Sequence, residues 1–501
     1  MASAAQADGW TSRSRSVRRS DLVWTAGVCA VLLLQAVLIL THEPFVDEWQ
    51  ALQIAVQSPD LASLLGNLRY EGHPALWYLG LRGLGAIVGA QWALPAANLI
   101  LALTTQCLIV FRAPFPRWLR LAVALSEPIL FEYGTVFRSY ALGVALTFWL
   151  LAAWDSKRAV WLPLILLPAV ESFFGIFSLA FLAYCFVEKR LWWPGVAAWA
   201  LVSALSAWTV IPAADFVPVY PAAPSPFAGA VLLLQQFSIV AVPWQWDGGP
   251  EWNSIPQSGW FHALWLFFAL LCFDQTRKRL LDRAILAGFF GVLLLTYAFS
   301  YTLANRHLML MGTLLIALQW RQSLRGGSLG PLFRIWVCIG AACGVATAAT
   351  ALAMPFDTAP RVARIIEQKN LAGEHWVSAP AQHAQGVSAI SGMLFEGMGA
   401  GCMNDFVRWN AATTASSRMD FAGWVQREAP RGRFYLLIQF PLPRRSPAVE
   451  IAHVGPGYDG KEYYLYRVGS DGEPPRKALP RCVPGMKPLP PRTSATLVNL
   501  R

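Results

Sequence analysis

Two acidic residues, Asp47 and Glu48, stand side by side directly after the first long apolar run of the chain. Further along, His73 precedes a proline, and two arginines, Arg138 and Arg306, stand close to later apolar runs. A carboxylate can take a proton from a hydroxyl nucleophile, while arginine or histidine can stabilise negative charge on a departing group. These residue types indicate group transfer with an anionic leaving group if the fold brings them together. If the fold keeps them apart, the acidic pair would be solvated loop charges, His73 a helix cap and the two arginines lipid anchors.

The elements that must position these residues are membrane helices. The chain has 501 residues, of which 55% are hydrophobic and 14% charged, and its mean hydropathy is +0.42. These values predict a polytopic α-helical membrane protein rather than a soluble domain. The first apolar run, 22–41, has about the 20 residues that a helix needs to cross the hydrocarbon core. It follows a basic arm, 1–21, which we expect to be cytoplasmic, so that Asp47 emerges outside.

The net charge of +11 follows the positive-inside pattern. Much of the excess lies in short loops between apolar runs, and no aromatic-interleaved basic patch of the kind that binds RNA or DNA is present. We therefore expect no nucleic-acid partner. The loop residues are Arg112, Arg117, Arg120, Lys157, Arg158, Lys189, Arg190, Arg277, Lys278, Arg279, Arg283, Arg321, Arg325 and Arg334.

The apolar runs between these loops predict about 11–13 transmembrane helices. Two regions leave the count open. Residues 74–111 connect a predicted outer loop to a predicted inner loop and therefore need an odd number of crossings, yet their pattern predicts two helices. Residues 228–243 could lie along the interface or re-enter the membrane. The runs are 22–41, 74–90, 92–111, 118–131, 136–154, 159–171, 173–187, 191–212, 259–273, 284–303, 307–320 and 335–354.

The chain changes character after residue 354. Residues 355–501 contain no apolar run of membrane length and are rich in glycine, proline and charge. We predict a small soluble α/β or α+β domain, and the outward course of the preceding run places it on the extracytoplasmic side. Its predicted elements are a helix near 360–371 and strands near 375–379, 434–440, 449–454 and 462–468.

Cysteine usage and acidic spacing leave two points open. Six of the eight cysteines fall in apolar runs, and the other two, Cys402 and Cys482, could form a disulfide in an oxidising compartment. No Cys or His spacing typical of a metal site occurs. Asp47, Glu48 and Glu132 could nevertheless share one Mg²⁺ or Mn²⁺ ion, so the sequence leaves the need for a metal undecided.

Four stretches of sequence share an order and sidedness with a known superfamily. "VDEW" (46–49) with "EGHPALWYLGL" (71–81), "EPILFEYGTVFRSYALGVAL" (127–146), "ESFFGIFSLAFL" (171–182) and "NRHLMLMGTLLIAL" (305–318) follow one another at predicted outer loops and helix starts. In this respect the chain resembles the GT-C membrane glycosyltransferases, including the protein O-mannosyltransferase and aminoarabinose transferase branches. The resemblance covers about 1–354, predicts a GT-C-like catalytic domain over 22–354 with its first outer loop at 42–73, and leaves the sugar and the acceptor open.

The resemblance implies an inverting glycosyltransferase. A site outside the cytoplasm has no supply of nucleotide sugars, so the donor would be a polyprenyl-phosphate sugar delivered by the membrane, and the acceptor a hydroxyl of a lipid, glycan or protein. Asp47 would be the general base, with Glu48 in a supporting or metal-contacting role. The protein would lie in a bacterial inner membrane with a periplasmic C-terminal domain. Residues expected to bind the donor phosphate or the substrate are His73, Arg138, Tyr140, Glu171, Arg306 and His307.

Two other classes of protein compete with this interpretation. A transporter or flippase for a lipid-linked or anionic substrate would line a path through the membrane with its charged residues and would show internal repeats. A non-catalytic membrane anchor would need no convergence of Asp47, Arg138 and Arg306. The position of these three residues in the fold therefore discriminates between a site and an anchor.

Overall fold

The protein is an integral membrane protein built mainly of α-helices. The structure, a computed structural model, describes residues 4–217, 225–277, 279–411, 413, 420–470, 472–477, 479–483 and 489, with side chains from residue 20 onward. Lys278 and the side chains of most of the predicted basic arm lie outside this part. Four helical segments in it are long and apolar enough to cross a membrane: Ser20–Thr41, Ala90–Arg112, Leu280–Phe299 and Pro331–Ala353.

All of the predicted apolar runs form helices, which confirms the predicted polytopic helical fold. The helices of this part are α1 Ala4–Thr41, α2 Val46–Gln57, α3 Leu61–Leu68, α4 Leu76–Val88, α5 Ala90–Arg112, α6 Arg117–Leu125, α7 Ser139–Ala152, α8 Trp161–Leu166, α9 Ser172–Val187, α10 Trp193–Thr209, α11 Pro226–Gln236, α12 Ser238–Ala241, α13 Gly259–His262, α14 Trp265–Thr276, α15 Leu280–Phe299, α16 Asn305–Leu324 and α17 Pro331–Ala353. A π-helical turn, Pro128–Glu132, follows α6, and a 3₁₀ turn, Leu167–Ala169, follows α8.

The two regions that the sequence left open are both broken helices. Residues 74–111 form α4 and α5, which are separated at Gly89, where the backbone has a φ of 87°. Side chains other than glycine rarely adopt this conformation, so the break is encoded locally. Helix α4 has 13 residues, fewer than the about 20 that a perpendicular span requires. Residues 228–243 include most of α11 and all of α12, which are likewise two short segments.

The C-terminal part is a small α/β unit, as the sequence predicts. Its sheet has the strand order β3-β2-β1-β4-β6-β5, with β1 parallel to β2 and β4 and the remaining pairs antiparallel. Cys402 and Cys482 form a disulfide, which joins the start of β3 to the segment near the end of the described chain. The elements are α18 Ala359–Gln368, β1 Trp376–Ala379, α19 Gln385–Ser391, β2 Phe395–Gly397, β3 Met403–Asn404, α20 Phe421–Glu428, β4 Phe434–Ile438, β5 Ala448–Val454 and β6 Tyr463–Val468.

The C-terminal unit shares a hydrophobic core with helix α2, in the loop region 42–73. Trp49 and Leu52 of α2 are in one buried cluster with Val387 and Ile390 of α19. Helix α19 packs against α2, and the Cβ that an alanine at Gly386 would carry lies 3.3 Å from the Trp49 ring. Burial of apolar surface at about 25 cal/mol per Å² makes such a shared core a stable attachment. The C-terminal unit therefore packs directly on helix α2, which begins beside Asp47.

Candidate functional site

Five helices of at least eight residues begin around one cavity of about 470 Å³ in the described part of the chain. The starts of α2, α4, α7, α9 and α16 each contribute lining residues to it, so five positive helix-dipole ends lie around the same space. This arrangement favours an anionic ligand before any side chain is counted. The cavity brings together six of the residues singled out from the sequence, namely Asp47, His73, Arg138, Glu171, Arg306 and His307.

Asp47 is paired with both arginines. An Arg138 guanidinium N–H donates to the Asp47 carboxylate, and the Arg306 guanidinium lies 3.8 Å from the same oxygen. The side chain of Asp47 is 41% exposed, whereas those of Arg138 and Arg306 are 10% and 17% exposed. Partial burial opposes ionisation of Asp47, but the two positive charges and the hydrogen bond outweigh it and lower its pKa to about 2. Asp47 is therefore a carboxylate across the physiological pH range.

Glu48 lies behind the cavity and holds its wall together. Its buried carboxylate accepts hydrogen bonds from the backbone N–H groups of Phe45, at 2.6 Å, and Phe137. Nε2 of His42 lies 3.0 Å from the same carboxylate. Successive helical residues diverge by about 100°, which explains why Asp47 faces the cavity while Glu48 faces the protein. Glu48 thus joins the start of α2 to the residue before Arg138.

His73 and Glu171 form a second charged pair in the cavity. Nδ1 of His73 lies 2.5 Å from Oε2 of Glu171, whose other oxygen accepts from the backbone N–H of Ser172, at 3.0 Å, at the start of α9. Burial alone would lower the pKa of His73, but the Glu171 carboxylate raises it above its usual value. The histidine is therefore held closer to its cationic form, and a helix start fixes its partner.

Arg306 is positioned by the first turn of α16. The hydroxyl of Tyr133 donates to the carbonyl oxygen of Arg306 at 2.6 Å. Nδ1 of His307 accepts from the backbone N–H of Ala304 at 3.0 Å, which caps the helix start. Tyr140 stacks on Tyr133 with ring centroids 5.8 Å apart and is buried outside the cavity lining. It therefore lies behind the wall that carries Arg306.

Glu71 is a cavity residue that the sequence did not single out. Its carboxylate accepts from the side-chain amide of Gln50 at 2.7 Å, and burial raises its pKa to about 7. Its only signal in the sequence is its position at the start of the "EGHPALWYLGL" stretch. Besides Glu171, which is paired with His73, the cavity therefore contains two further carboxyl groups: Asp47, which is ionised at neutral pH, and Glu71, which changes its charge there.

The suggested metal site of three carboxylates does not form. Glu132 is buried and accepts from the indole N–H of Trp252 at 2.9 Å, and it does not line the cavity. The Glu48 carboxylate is already hydrogen-bonded to the backbone N–H groups of Phe45 and Phe137 and to His42. Within the described ranges, no group of three His, Cys, Asp or Glu side chains is arranged to hold a metal ion.

Comparisons with known proteins found similar solved structures only. No known family model matches the chain, and no curated protein sequence matches it significantly. The crystal structure of ArnT from Cupriavidus metallidurans in the apo state is 10% identical, with a TM-score of 0.49 over 90% of this chain and 98% of that chain. The structure of the same protein bound to undecaprenyl phosphate is 10% identical, with a TM-score of 0.44 over 91% and 99%.

Proposed function

We propose that this protein is a GT-C-like membrane glycosyltransferase, which moves a sugar from a polyprenyl-phosphate-linked donor to an acceptor hydroxyl. The observation that carries the proposal is the convergence of Asp47, Arg138 and Arg306 in one cavity. These residues come from three distant stretches that the resemblance had placed at the site. A simple membrane anchor has no need for such convergence.

The two arginines suit a lipid phosphate. Guanidinium groups form charge-assisted, often paired hydrogen bonds with phosphate oxygens, which lysine cannot reproduce as a planar fork. The Nε–H of Arg306 is buried and has no hydrogen-bond partner among the described residues. A phosphate between the arginines would also lie near the positive helix starts of α7 and α16.

One side of the cavity suits the lipid chain. Phe173 and Ile176 of α9 line it together with Val292 and Thr296 of α15. Helix α15 is long and apolar enough to cross the membrane. A donor whose phosphate meets the arginines could therefore extend its polyprenyl chain along α15, which supports a membrane-borne donor over a soluble nucleotide sugar.

The pairing of Asp47 suggests an order of events. An arriving phosphate competes with Asp47 for the two guanidiniums, and as they turn toward it their hold on the carboxylate weakens. The pKa of Asp47 then rises from about 2, and the carboxylate becomes a better base. The acceptor oxygen bonds to the anomeric carbon as its proton passes to Asp47. The bond from that carbon to the phosphate breaks on the opposite face, which inverts the centre and releases polyprenyl phosphate.

The experiment that tests this proposal is sugar transfer in lipid nanodiscs. Polyprenyl-phosphate hexoses and pentoses with a labelled sugar are supplied together with an extract of cell-envelope acceptors. We expect label in an acceptor with the wild-type protein and a loss of about 10²–10⁴-fold with Asp47→Asn. Asp60→Asn is the matched control, because Asp60 is exposed, lies outside the cavity and caps α3, a role that Asn fills equally well.

The outcomes separate the candidate functions. Failure of the wild-type protein to bind polyprenyl phosphate would reject the donor class. Binding without transfer, but with movement of the lipid between leaflets, would favour the flippase alternative.

We also propose that the cavity opens on the periplasmic side of a bacterial inner membrane, with the N-terminus in the cytoplasm. The support is the charge pattern, because the basic loops and the motif-bearing ends alternate along the chain. Single cysteines at Arg277 and Arg445, both exposed, would test it after replacement of the exposed Cys29 and Cys338. An impermeant thiol reagent added outside should label position 445 and spare position 277, and labelling of 277 would contradict this orientation.

A further inference from the structure

One end of the cavity is bordered by three aromatic side chains from three separate parts of the chain. Tyr70 comes from the first outer loop, Phe216 from the segment after α10 and Trp409 from the C-terminal unit, and we call them the aromatic rim. We propose that the aromatic rim binds a pyranose ring of the acceptor, so that the acceptor is a saccharide. This inference rests on the proposed glycosyltransferase function and assigns its acceptor class.

The three rings of the rim are held in place, since backbone and side-chain hydrogen bonds join the segments that carry them. The backbone N–H of Val217 donates to the carbonyl of Trp409 at 2.9 Å, and Phe216 forms a β-bridge with Asn410. The Tyr70 hydroxyl donates to Asp215 at 2.6 Å. Arg408 adds a cation–π contact, with its guanidinium carbon 5.5 Å from the Tyr70 ring centroid. The three rings are therefore fixed relative to one another while staying only partly buried.

The aromatic rim and the proposed path of the lipid chain are lined by different elements. Val292 and Thr296 line the cavity from α15, a helix that can cross the membrane, whereas Trp409 lies in the α/β unit. The arginine pair marks the place proposed for the donor phosphate. The aromatic rings therefore border the side from which an acceptor would approach.

The polar groups beside the rim suit a polyol. Pyranose rings have apolar C–H faces that pack on aromatic rings, and hydroxyl groups at their edges that need directed hydrogen bonds. Glu71, His73 and Gln50 line the same cavity and offer carboxylate, imidazole and amide groups. The indole N–H of Trp77, also in the lining, is buried and has no hydrogen-bond partner among the described residues. A sugar hydroxyl is a suitable acceptor for this donor.

An extended peptide fits the rim less well. Peptides bind to sheet edges through free backbone N–H and carbonyl groups. At the rim, the N–H of Val217 and the carbonyl of Trp409 already bond to each other. Ring faces and side-chain polar groups remain for recognition, and these match a saccharide.

The test measures sugar binding without turnover. Saturation-transfer difference NMR on the protein in nanodiscs, free of sugar detergents, reports binding of a panel of methyl hexopyranosides. We expect at least one of them to bind through its C–H face, and Trp409→Ala and Phe216→Ala to weaken its binding about 10-fold, which corresponds to about 1.4 kcal/mol. Trp409→Phe should restore part of the affinity. Trp260→Ala is the control, because Trp260 is 71% exposed and lies outside the cavity.

Parallel measurements of thermal stability and of polyprenyl phosphate binding show whether the variants are folded, and both should be unchanged. Equal loss of lipid-phosphate binding in the Trp409 variants would overturn the assignment, as would binding of serine or threonine peptides in place of all hexosides. Displacement of the hexoside by a polyprenyl-phosphate hexose, but not by polyprenyl phosphate, would show that the rim binds the sugar of the donor and not the acceptor. If the wild-type protein binds hexosides but no polyprenyl phosphate, the donor proposal fails while the rim is retained.

Discussion

Asp47→Asn should change donor binding and sugar transfer in opposite directions. In the free protein, Asp47 neutralises the two guanidiniums that the donor phosphate is proposed to occupy. Asparagine keeps the size of the side chain but neither its charge nor its basicity. A polyprenyl phosphate would then meet two arginines without a competitor, while the acceptor hydroxyl would have lost the group that takes its proton.

The magnitude follows from the pairing of Asp47. Its pKa is about 2 against an ordinary 3.8, and this difference of about 1.8 corresponds to at most about 2.5 kcal/mol. Because the carboxylate is 41% exposed, solvent screening reduces this, and about 1 kcal/mol is a reasonable value. We therefore expect polyprenyl phosphate to bind about fivefold more tightly, and transfer at saturating donor to fall by about 10²–10⁴-fold.

The assay combines equilibrium binding of polyprenyl phosphate with single-turnover transfer in nanodiscs, using Asp60→Asn as the control. Weaker donor binding by Asp47→Asn would show that Asp47 holds the arginines in place and does not compete with the phosphate. Near-normal transfer would refute the base role altogether. Only tighter binding together with slow transfer agrees with the proposed order of events.

Three further predictions concern single residues of the site. Arg306→Ala should weaken polyprenyl phosphate binding by about 10- to 150-fold, and Arg306→Lys should restore only part of it; unchanged binding would make Arg306 a lipid anchor. Glu48→Gln should lower the thermal midpoint, because three donors around a buried carboxylate lose a charged acceptor at a cost of about 2–4 kcal/mol; an unchanged midpoint would contradict this structural role. Glu71 gains negative charge as the pH rises through about 7. Polyprenyl phosphate itself ionises further near pH about 6, so the wild-type affinity is compared with that of Glu71→Gln at each pH. The wild-type protein should bind the phosphate relatively more weakly above pH about 7, and identical profiles would exclude this ionisation.

The sequence predicts the membrane helices well because their signal is local. An apolar run of sufficient length between basic loops defines a helix without knowledge of its neighbours, and the later strands β4, β5 and β6 were visible from their composition. The strands β2 and β3, at three and two residues, are too short to carry a periodic signal. Strand β2 pairs with the edge of β1, and β3 pairs with the edge of β2, so both depend on tertiary contacts.

The sequence predicts the charged residues of the candidate site better than the other residues that line the cavity. The sequence singles out Asp47, Arg138 and Arg306 because a family pattern orders them at predicted helix starts. Glu71 looked like one more loop acid, and only its burial sets it apart. Trp409 was missed for another reason, because its contribution depends on how the C-terminal unit docks, and no local pattern encodes that docking.

Gln50 indicates why docking and chemistry are linked. Its side-chain amide N–H donates to Glu71 at 2.7 Å and to the carbonyl of Val407 at 2.7 Å, and its oxygen accepts from the backbone N–H of Val407 at 3.1 Å. One residue on α2, a single turn after Asp47, thus connects a cavity carboxylate with the backbone just before Trp409. If the C-terminal unit shifted, the amide would lose its partners on that side and Glu71 would lose its fixed donor. The position of the C-terminal unit and the polarity of the cavity are therefore linked through the hydrogen bonds of Gln50.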